Sequence, residues 1–172
     1  ISRLGSQYPQ SKVVLMSYLN PLLQVGFDEL ATQMQPTISG LIVPDLPVDH
    51  ADMLAPVAEK GASPIWMITP DMSDQRVQKV IEHASGMLYC VSRSGVTGES
   101  DKTAACGIQE HLARIRQQTA VPLGVGFGIN SAADIHRIKD HAEIAIVGSA
   151  VLTAFNQEGI MAVSEKLKAL AA

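Results

Sequence analysis

The sequence predicts an α/β fold in which parallel β-strands alternate with α-helices. Six short apolar runs show little alternation between polar and apolar positions, a pattern typical of strands that are covered on both faces. Amphipathic segments with a helical period follow these runs. Because strand and helix alternate along the whole chain, the pattern indicates parallel strands joined by right-handed helical crossovers.

The predicted strands, in chain order, are 12–18, 40–44, 64–69, 87–92, 122–127 and 143–148. The predicted helices that follow them are 27–34, 49–60, 73–84, 107–118, 131–140 and 157–172. Ser131 stands where a helix N-cap is expected, because its hydroxyl can accept a hydrogen bond from a free N–H group of the first turn. Two architectures fit this order: an open doubly wound sheet and a closed eight-stranded barrel, which typically needs about 250 residues.

The composition indicates a globular chain, since 47% of the 172 residues are hydrophobic and 17% are charged. The net charge is −4 with scattered Lys and Arg, which argues against nucleic acid and against an anionic membrane as partners. Cys90 and Cys106 do not make a disulfide framework, no apolar run is long enough to span a bilayer, and no secretory signal opens the chain. We therefore expect a reduced, cytoplasmic protein, although backbone N–H groups could still bind a small anion.

Two glycine-containing turns, 126–131 and 147–150, follow the last two predicted strands and lead into helices. A helix N-terminus offers free N–H groups and a favourable dipole to a phosphate, and barrels often bind phosphate after their last two strands. Either turn alone is better explained by tight-turn geometry, but the pair on consecutive strands favours phosphate. A dinucleotide site is excluded because Ile129 occupies the place of the third glycine of that motif.

The longest irregular segment is 92–107, after the fourth predicted strand. A loop of that length inside a compact domain is usually either functional or disordered. Its Gly95, Gly98 and Gly107 suit a flap that closes over a bound ligand.

Five blocks resemble the tryptophan synthase α chain family, in order along the chain. They are LMSYLNPLLQVG (15–26), GLIVPDLPV (40–48), YCVSRSGVTGES (89–100), GVGFGI (124–129) and AIVGSAV (145–151). The resemblance implies a (β/α)8 TIM barrel, here a single partial domain over 1–172 with six of the eight units, the first two being missing. It also implies a lyase that cleaves indole glycerol phosphate to indole and glyceraldehyde 3-phosphate in tryptophan biosynthesis.

The resemblance also implies roles for individual residues. The phosphate-binding residues would be Gly98, Gly128, Gly148 and Ser149, and the indole pocket would be Met16, Tyr18, Ile42, Met67 and Phe127. Tyr89 would face the substrate, and Thr97 of the flap would reach a catalytic carboxylate on closure. The alternatives are ordinary core packing for the apolar residues, a buried tyrosine with a hydrogen-bonded hydroxyl, and a polar loop residue.

The glutamate and aspartate that carry out proton transfer in the family would precede Ile1, so we expect the chain to be inactive alone. Asp45 and Asp71 follow predicted strands and are candidate replacements, but Asp45 is also in a typical turn, and Glu99 on the flap is better explained as solvated. We expect all five histidines on the surface and no metal site: His50, His83, His111, His136 and His141.

The family further implies a partner, a β chain that carries pyridoxal phosphate in an α₂β₂ assembly, whereas this chain needs no cofactor. The docking positions would be Asn20, Leu22, Leu23, Asp45 and Pro47, although Leu22 and Leu23 could equally cap the barrel's own rim. Two other functions compete: a non-catalytic phosphate-binding or partner-binding module, and another phosphate-binding barrel of aromatic amino-acid or histidine biosynthesis. The SRSGVTG and SYLNP segments argue against the second.

Overall fold

The computed structural model describes residues 7–91, 104–126 and 128–171, which fall into two compact units. The first unit comprises the described residues up to Met67 together with Gln75–Leu88. The second comprises Ile68–Asp74 and the described residues from Tyr89 onward.

The strands of the first unit are parallel and follow chain order. They are β1 (Val13–Met16), β2 (Ile38–Ile42) and β3 (Ser63–Ile68), whose last residue belongs to the second unit. In their register, Leu41 of β2 lies between Leu15 of β1 and Pro64 of β3. Leu41 is fully buried, whereas Val14 and Met16 of β1 are 39% and 51% exposed.

The helices of this unit include one that the sequence pattern did not predict. They are α1 (Leu19–Val25), α2 (Phe27–Met34), a 3-10 helix (Val48–Leu54), α3 (Ala55–Glu59) and α4 (Asp74–Glu82), whose first residue belongs to the second unit. The limits of α2 agree with its prediction, and its buried Leu30, Ala31 and Met34 lie on one helical face. Helix α1 has only seven residues, too few for periodicity to reveal it.

The second unit repeats the pattern of strand and helix. Its strands β4 (Leu88–Val91), β5 (Leu123–Gly126) and β6 (Ile144–Ile146) lie side by side, and β5 pairs with β6 in parallel. Its helices are α5 (Ala104–Arg116), α6 (Ala132–Ile138), α7 (Ser149–Glu158) and α8 (Ile160–Ala171). The prediction of a single last helix over 157–172 was wrong, because two helices follow β6. The first, α7, ends at Glu158, and the next residue, Gly159, has a φ of 77°, which does not continue a helix.

The surface location predicted for the histidines was wrong for His111, which is only 6% exposed. On α5, Ile108, Leu112 and Ile115 are buried, and the helical period places His111 on the same apolar face. Cys90 is buried in the core, and burial raises the pKa of its thiol to about 12. Across the described ranges, no helix has the length and apolar character needed to cross a membrane.

Candidate phosphate-binding site

An ionic network fixes the starts of β5 and β6 next to each other. Arg116 Nη2 donates to both carboxylate oxygens of Glu143 at 2.7 and 2.6 Å, and Glu143 Oε2 also accepts from the N–H of Leu123 at 2.7 Å. The N–H of Glu143 returns a bond of 3.1 Å to the carbonyl of Leu123. Burial acts to raise the pKa of Glu143, but the amide of Leu123 and the charge of Arg116 outweigh it and hold that pKa below its usual value. The register of the two strands is therefore set at this end.

That register brings the two glycine turns to the same edge of the sheet. Gly126, the last residue of β5, pairs with Ile146, the last residue of β6. Gly128 lies two residues after Gly126, and Gly148 lies two residues after Ile146. Because neighbouring parallel strands are about 4.8 Å apart, the two turns leave the sheet side by side.

The turn after β6 presents an open helix N-terminus. Gly148 is the N-cap of the ten-residue helix α7, which has neither a side-chain cap nor an acidic residue in its first turn. The N–H groups of Val151 and Leu152 are bonded to the carbonyl of Gly148. Among the described residues, none accepts a hydrogen bond from the N–H of Gly148 or Ser149, and both residues are exposed. These amides therefore have no acceptor within the described part of the chain, and the positive end of the helix dipole lies at the same place.

The turn after β5 differs, because the N-terminus of α6 is already closed by a carboxylate. Ser131 is confirmed as the N-cap, and with Asp134 it forms a capping box. Asp134 Oδ2 accepts from the N–H groups of Asn130 at 2.9 Å and of Ser131 at 2.8 Å. Burial acts to raise the pKa of Asp134, but these bonds and the charge of Arg137 hold it below its usual value. The N–H groups of Asn130 and Ser131 are therefore bonded to Asp134, whereas those of Gly128 and Ile129 have no acceptor among the described residues.

The sequence contained a signal for this closure that the prediction did not use. Asp134 lies three residues after Ser131, the spacing of a capping box, in which an acidic side chain bonds back to the N-cap amide. The start of α6 is therefore capped by the side chains of Ser131 and Asp134, whereas the start of α7 has no side-chain cap.

The three glycines near these turns differ in whether the fold requires glycine at their positions. A Cβ on Gly126 would meet the hydroxyl of Tyr89 at 2.2 Å, so packing excludes any larger residue. Gly128 has a φ of 79°, which L side chains rarely adopt. Gly148 has a φ of −117°, and no described atom lies within 4 Å of its added Cβ. Neither packing nor a positive φ therefore requires glycine at position 148.

The residues expected around the indole ring lie in several places. Met16 pairs with Ile42 in the strand register, and Met67 lies two residues beyond Ile65, the partner of Ile42. Because alternate residues of a strand share a face, Met16, Ile42 and Met67 lie on one face of the first unit's sheet. Ile42 is buried, Met67 is partly buried and Met16 is 51% exposed.

The remaining residues of the predicted site are only partly described. Tyr18 is the N-cap of α1 and is 67% exposed. Tyr89 lies in the second unit, is 9% exposed, and has a pKa raised by burial. Phe127, Thr97 and Gly98, with the flap carboxylate Glu99, lie outside the described residues.

The expected docking positions lie on α1 and on the turn after β2. Asn20, Asp45 and Pro47 are exposed. Leu23 is 51% exposed, whereas Leu22 is 4% exposed and packs inside its own unit. The burial of Leu22 is consistent with the alternative that it packs within its own chain. Leu23 is exposed to solvent and remains a candidate docking residue.

Asp45 has a structural role at α1. Its Oδ1 accepts from the N–H of Leu19, the first residue of that helix, at 2.8 Å. Asp71, the other candidate acid, is exposed in the turn after β3. In the part of the chain that the structure describes, no three His, Cys, Asp or Glu side chains are arranged to hold a metal ion.

The chain is similar in sequence and in structure to known proteins. A family model described as the tryptophan synthase alpha chain matches residues 1–172. The tryptophan synthase alpha chain of Syntrophotalea carbinolica is 37% identical over 160 residues, which are 91% of this chain and 62% of that relative. This chain thus spans less than two thirds of that relative's length.

Solved structures agree with the sequence relatives. A structure of tryptophan synthase from Mycobacterium tuberculosis superimposes with a TM-score of 0.85 at 33% identity, over 96% of this chain and 63% of that chain. A tryptophan synthase complex from Pyrococcus furiosus gives a TM-score of 0.80 at 25% identity, over 96% of this chain and 66% of that chain. Sequence and fold therefore agree over nearly all of the 172 residues. The chain belongs to the tryptophan synthase alpha chain family.

Proposed function

We propose that this chain binds the phosphate of indole glycerol phosphate for cleavage to indole and glyceraldehyde 3-phosphate in tryptophan biosynthesis. The observation that carries the proposal is the open N-terminus of α7 beside the turn after β5, on neighbouring parallel strands. The donors would be the N–H groups of Gly128, Gly148 and Ser149, which have no partner among the described residues, with Gly98 of the flap as a further ligand. A phosphate there would meet main-chain donors and the positive end of a helix dipole.

The rest of the substrate would lie over apolar side chains, in a closed barrel of which this chain supplies six of eight β/α units. The indole ring would contact Met16, Tyr18, Ile42, Met67 and Phe127, with Tyr89 and Thr97 in supporting positions. The proton-transferring carboxylates of the family match no position in the 172 residues, so this chain would contribute binding and require those groups for turnover. The proposal includes a cytoplasmic location and no cofactor held by this chain.

The proposal extends to a partner, a tryptophan synthase β chain, because related solved structures are of tryptophan synthase complexes. The docking surface would comprise the exposed Asn20, Leu23, Asp45 and Pro47. Burying the exposed side chain of Leu23 against a partner would remove apolar surface from water.

The phosphate site is tested by Gly148→Asp with Gly148→Asn as its matched control. Both are favoured N-cap residues, and no described atom would touch the new Cβ, so α7 should remain at least as stable. Only aspartate adds a negative charge where the phosphate would lie. By calorimetry, we expect Gly148→Asp to weaken glycerol 3-phosphate binding at least about tenfold more than Gly148→Asn does, with indole binding unchanged.

Equal affinities of the two variants for glycerol 3-phosphate would contradict the phosphate site. Adding a segment from a longer relative that carries the carboxylates then distinguishes the lyase from a non-catalytic phosphate-binding module. Indole release from indole glycerol phosphate supports the lyase, and binding without indole release supports the module.

A further inference from the structure

A lysine on the last helix contacts the turn after β5. Lys166 of α8 donates from Nζ to the carbonyl oxygen of Asn130 at 2.7 Å, across 36 residues of sequence. Lys166 is partly buried, and it forms no ion pair with another described residue. Its ammonium group therefore contacts the turn directly, without an ion pair to the carboxylate of Asp134 in that turn.

Asn130 makes three hydrogen bonds. Its N–H donates to Asp134 Oδ2 at 2.9 Å, its side-chain Nδ2 donates to the carbonyl of Gly128 at 3.1 Å, and its own carbonyl accepts from Lys166. The bond to Asp134 connects the turn to α6, and the bond from Lys166 connects it to α8. Lys166 is thus the contact that connects the turn to the second of these helices.

The geometry of the peptide plane extends this restraint to a free donor. In a trans peptide the C=O of one residue and the N–H of the next point in opposite directions. Because the carbonyl of Gly128 points toward the amide of Asn130, the N–H of Ile129 points away from it. No described residue accepts a hydrogen bond from that N–H. Fixing Asn130 therefore fixes the direction of an amide that is free to meet an anion.

Helix α8 also packs against α7, whose N-terminus forms the other half of the candidate site. A side chain that leaves α8 and binds the turn after β5 therefore links the two halves within one unit. A cation in this position also favours an anion at the site.

We propose that Lys166 is a positioning residue of the phosphate site: it fixes Asn130, and through it the amides of the turn after β5, and it supplies a positive charge beside the anion. This inference rests on the proposed function. The same sequence reasoning that found the glycine turns could not find Lys166, because no local spacing links positions 130 and 166.

The test compares Lys166→Met and Lys166→Arg with Lys168→Met, which removes an exposed lysine from the last turn of the same helix. The probes are glycerol 3-phosphate, which carries the anion, and indole, which does not. We expect Lys166→Met to weaken glycerol 3-phosphate binding about fivefold, the loss of about one hydrogen bond, with indole binding unchanged. Lys166→Arg should retain affinity to within about twofold because it keeps the charge and a donor, and Lys168→Met should bind both probes as the unaltered chain does.

A second measurement needs no ligand. Amide hydrogen exchange at Asn130 and Ser131 should become at least about threefold faster in Lys166→Met than in Lys168→Met, because the turn loses its bond to α8. Urea unfolding of both variants serves to separate a local effect from a general loss of stability.

The outcomes distinguish this inference from the proposed function. Unchanged glycerol 3-phosphate binding in Lys166→Met, or an equal loss for both probes, overturns the positioning role while the phosphate site stands. If the unaltered chain binds no glycerol 3-phosphate, the proposed function fails and the phosphate role of Lys166 fails with it. Exchange rates that are equal in the two methionine variants overturn the claim that Lys166 fixes the turn, whatever the binding result.

Discussion

The phenol of Tyr89 lies directly against the backbone of Gly126. A Cβ added to Gly126 would be 2.2 Å from the hydroxyl oxygen of Tyr89 and 2.6 Å from its Cζ, distances that real side chains do not adopt. Gly126 ends β5 and Tyr89 lies in β4. The ring therefore occupies the space that a side chain at position 126 would need, immediately before the proposed phosphate-binding turn.

We expect Gly126→Ala to lower the free energy of unfolding by about 1–3 kcal/mol through overpacking, measured by urea denaturation. Tyr89→Phe should rescue it poorly, because Cζ remains at 2.6 Å, whereas Tyr89→Leu in the same chain should rescue it well. Gly107→Ala is the control: this helical glycine has no described atom within 4 Å of an added Cβ, so alanine should stabilise by about 0.5–1 kcal/mol. Rescue that is equal for phenylalanine and leucine would contradict the contact.

Asp45 should act through α1 and not through proton transfer. Replacing it with alanine leaves the N–H of Leu19 without its partner and should cost about 1 kcal/mol of stability, whereas asparagine keeps an acceptor and should cost little. Circular dichroism melts of the two variants check the difference. If Asp45 were an acid or base, asparagine would abolish indole formation in a chain complemented with the carboxylate-bearing segment. We expect that activity to survive in Asp45→Asn.

His111 should make stability depend on pH. Burial, and secondarily the charge of Arg114, lower its pKa from the ordinary value of 6.5. Neither ring nitrogen has a hydrogen-bond partner in the described structure. The unfolded chain therefore binds a proton on His111 more readily than the folded chain does. The free energy of unfolding is unaffected by protonation of His111 above pH 6.5 and decreases as the pH falls below that value.

We expect His111→Leu to raise the free energy of unfolding by about 1 kcal/mol or more, since it removes two unsatisfied polar atoms from the core. It should also flatten the pH dependence of the urea midpoint below pH 6.5. His136→Leu, at an exposed position on α6, should leave that dependence in place. A pH profile that is the same in His111→Leu and in the unaltered chain would show that another group titrates.

Leu23 should contribute to binding a β chain. Leu23→Asp places a charge at a 51% exposed position and should weaken a pull-down with a tryptophan synthase β chain at least about tenfold, with little effect on folding. Leu152→Asp is the matched control, because Leu152 is 63% exposed and lies in the second unit, outside the expected docking positions. Equal capture of both variants would argue against docking at α1.

Much of the local structure followed from sequence alone because it depends on neighbours in the chain. The six strands lie where apolar runs predicted them, α2 has its predicted limits, and Ser131 caps α6 as its hydroxyl suggested. The sequence pattern missed α1, because seven residues are too few for a helical period to be recognised. It also missed the burial of His111, because the helical period was not applied to that residue.

By itself, the sequence determined the alternation of strand and helix, the resemblance to a family, and the pair of glycine turns. The structure shows that Ser131 and Asp134 cap α6, as their spacing in the sequence allows, while α7 begins at Gly148 without a side-chain cap. It alone revealed that Asp45 bonds to Leu19 and Lys166 to Asn130. The physical reason is that hydrophobic period and capping act over a few residues, whereas these contacts join side chains whose separation in sequence carries no pattern.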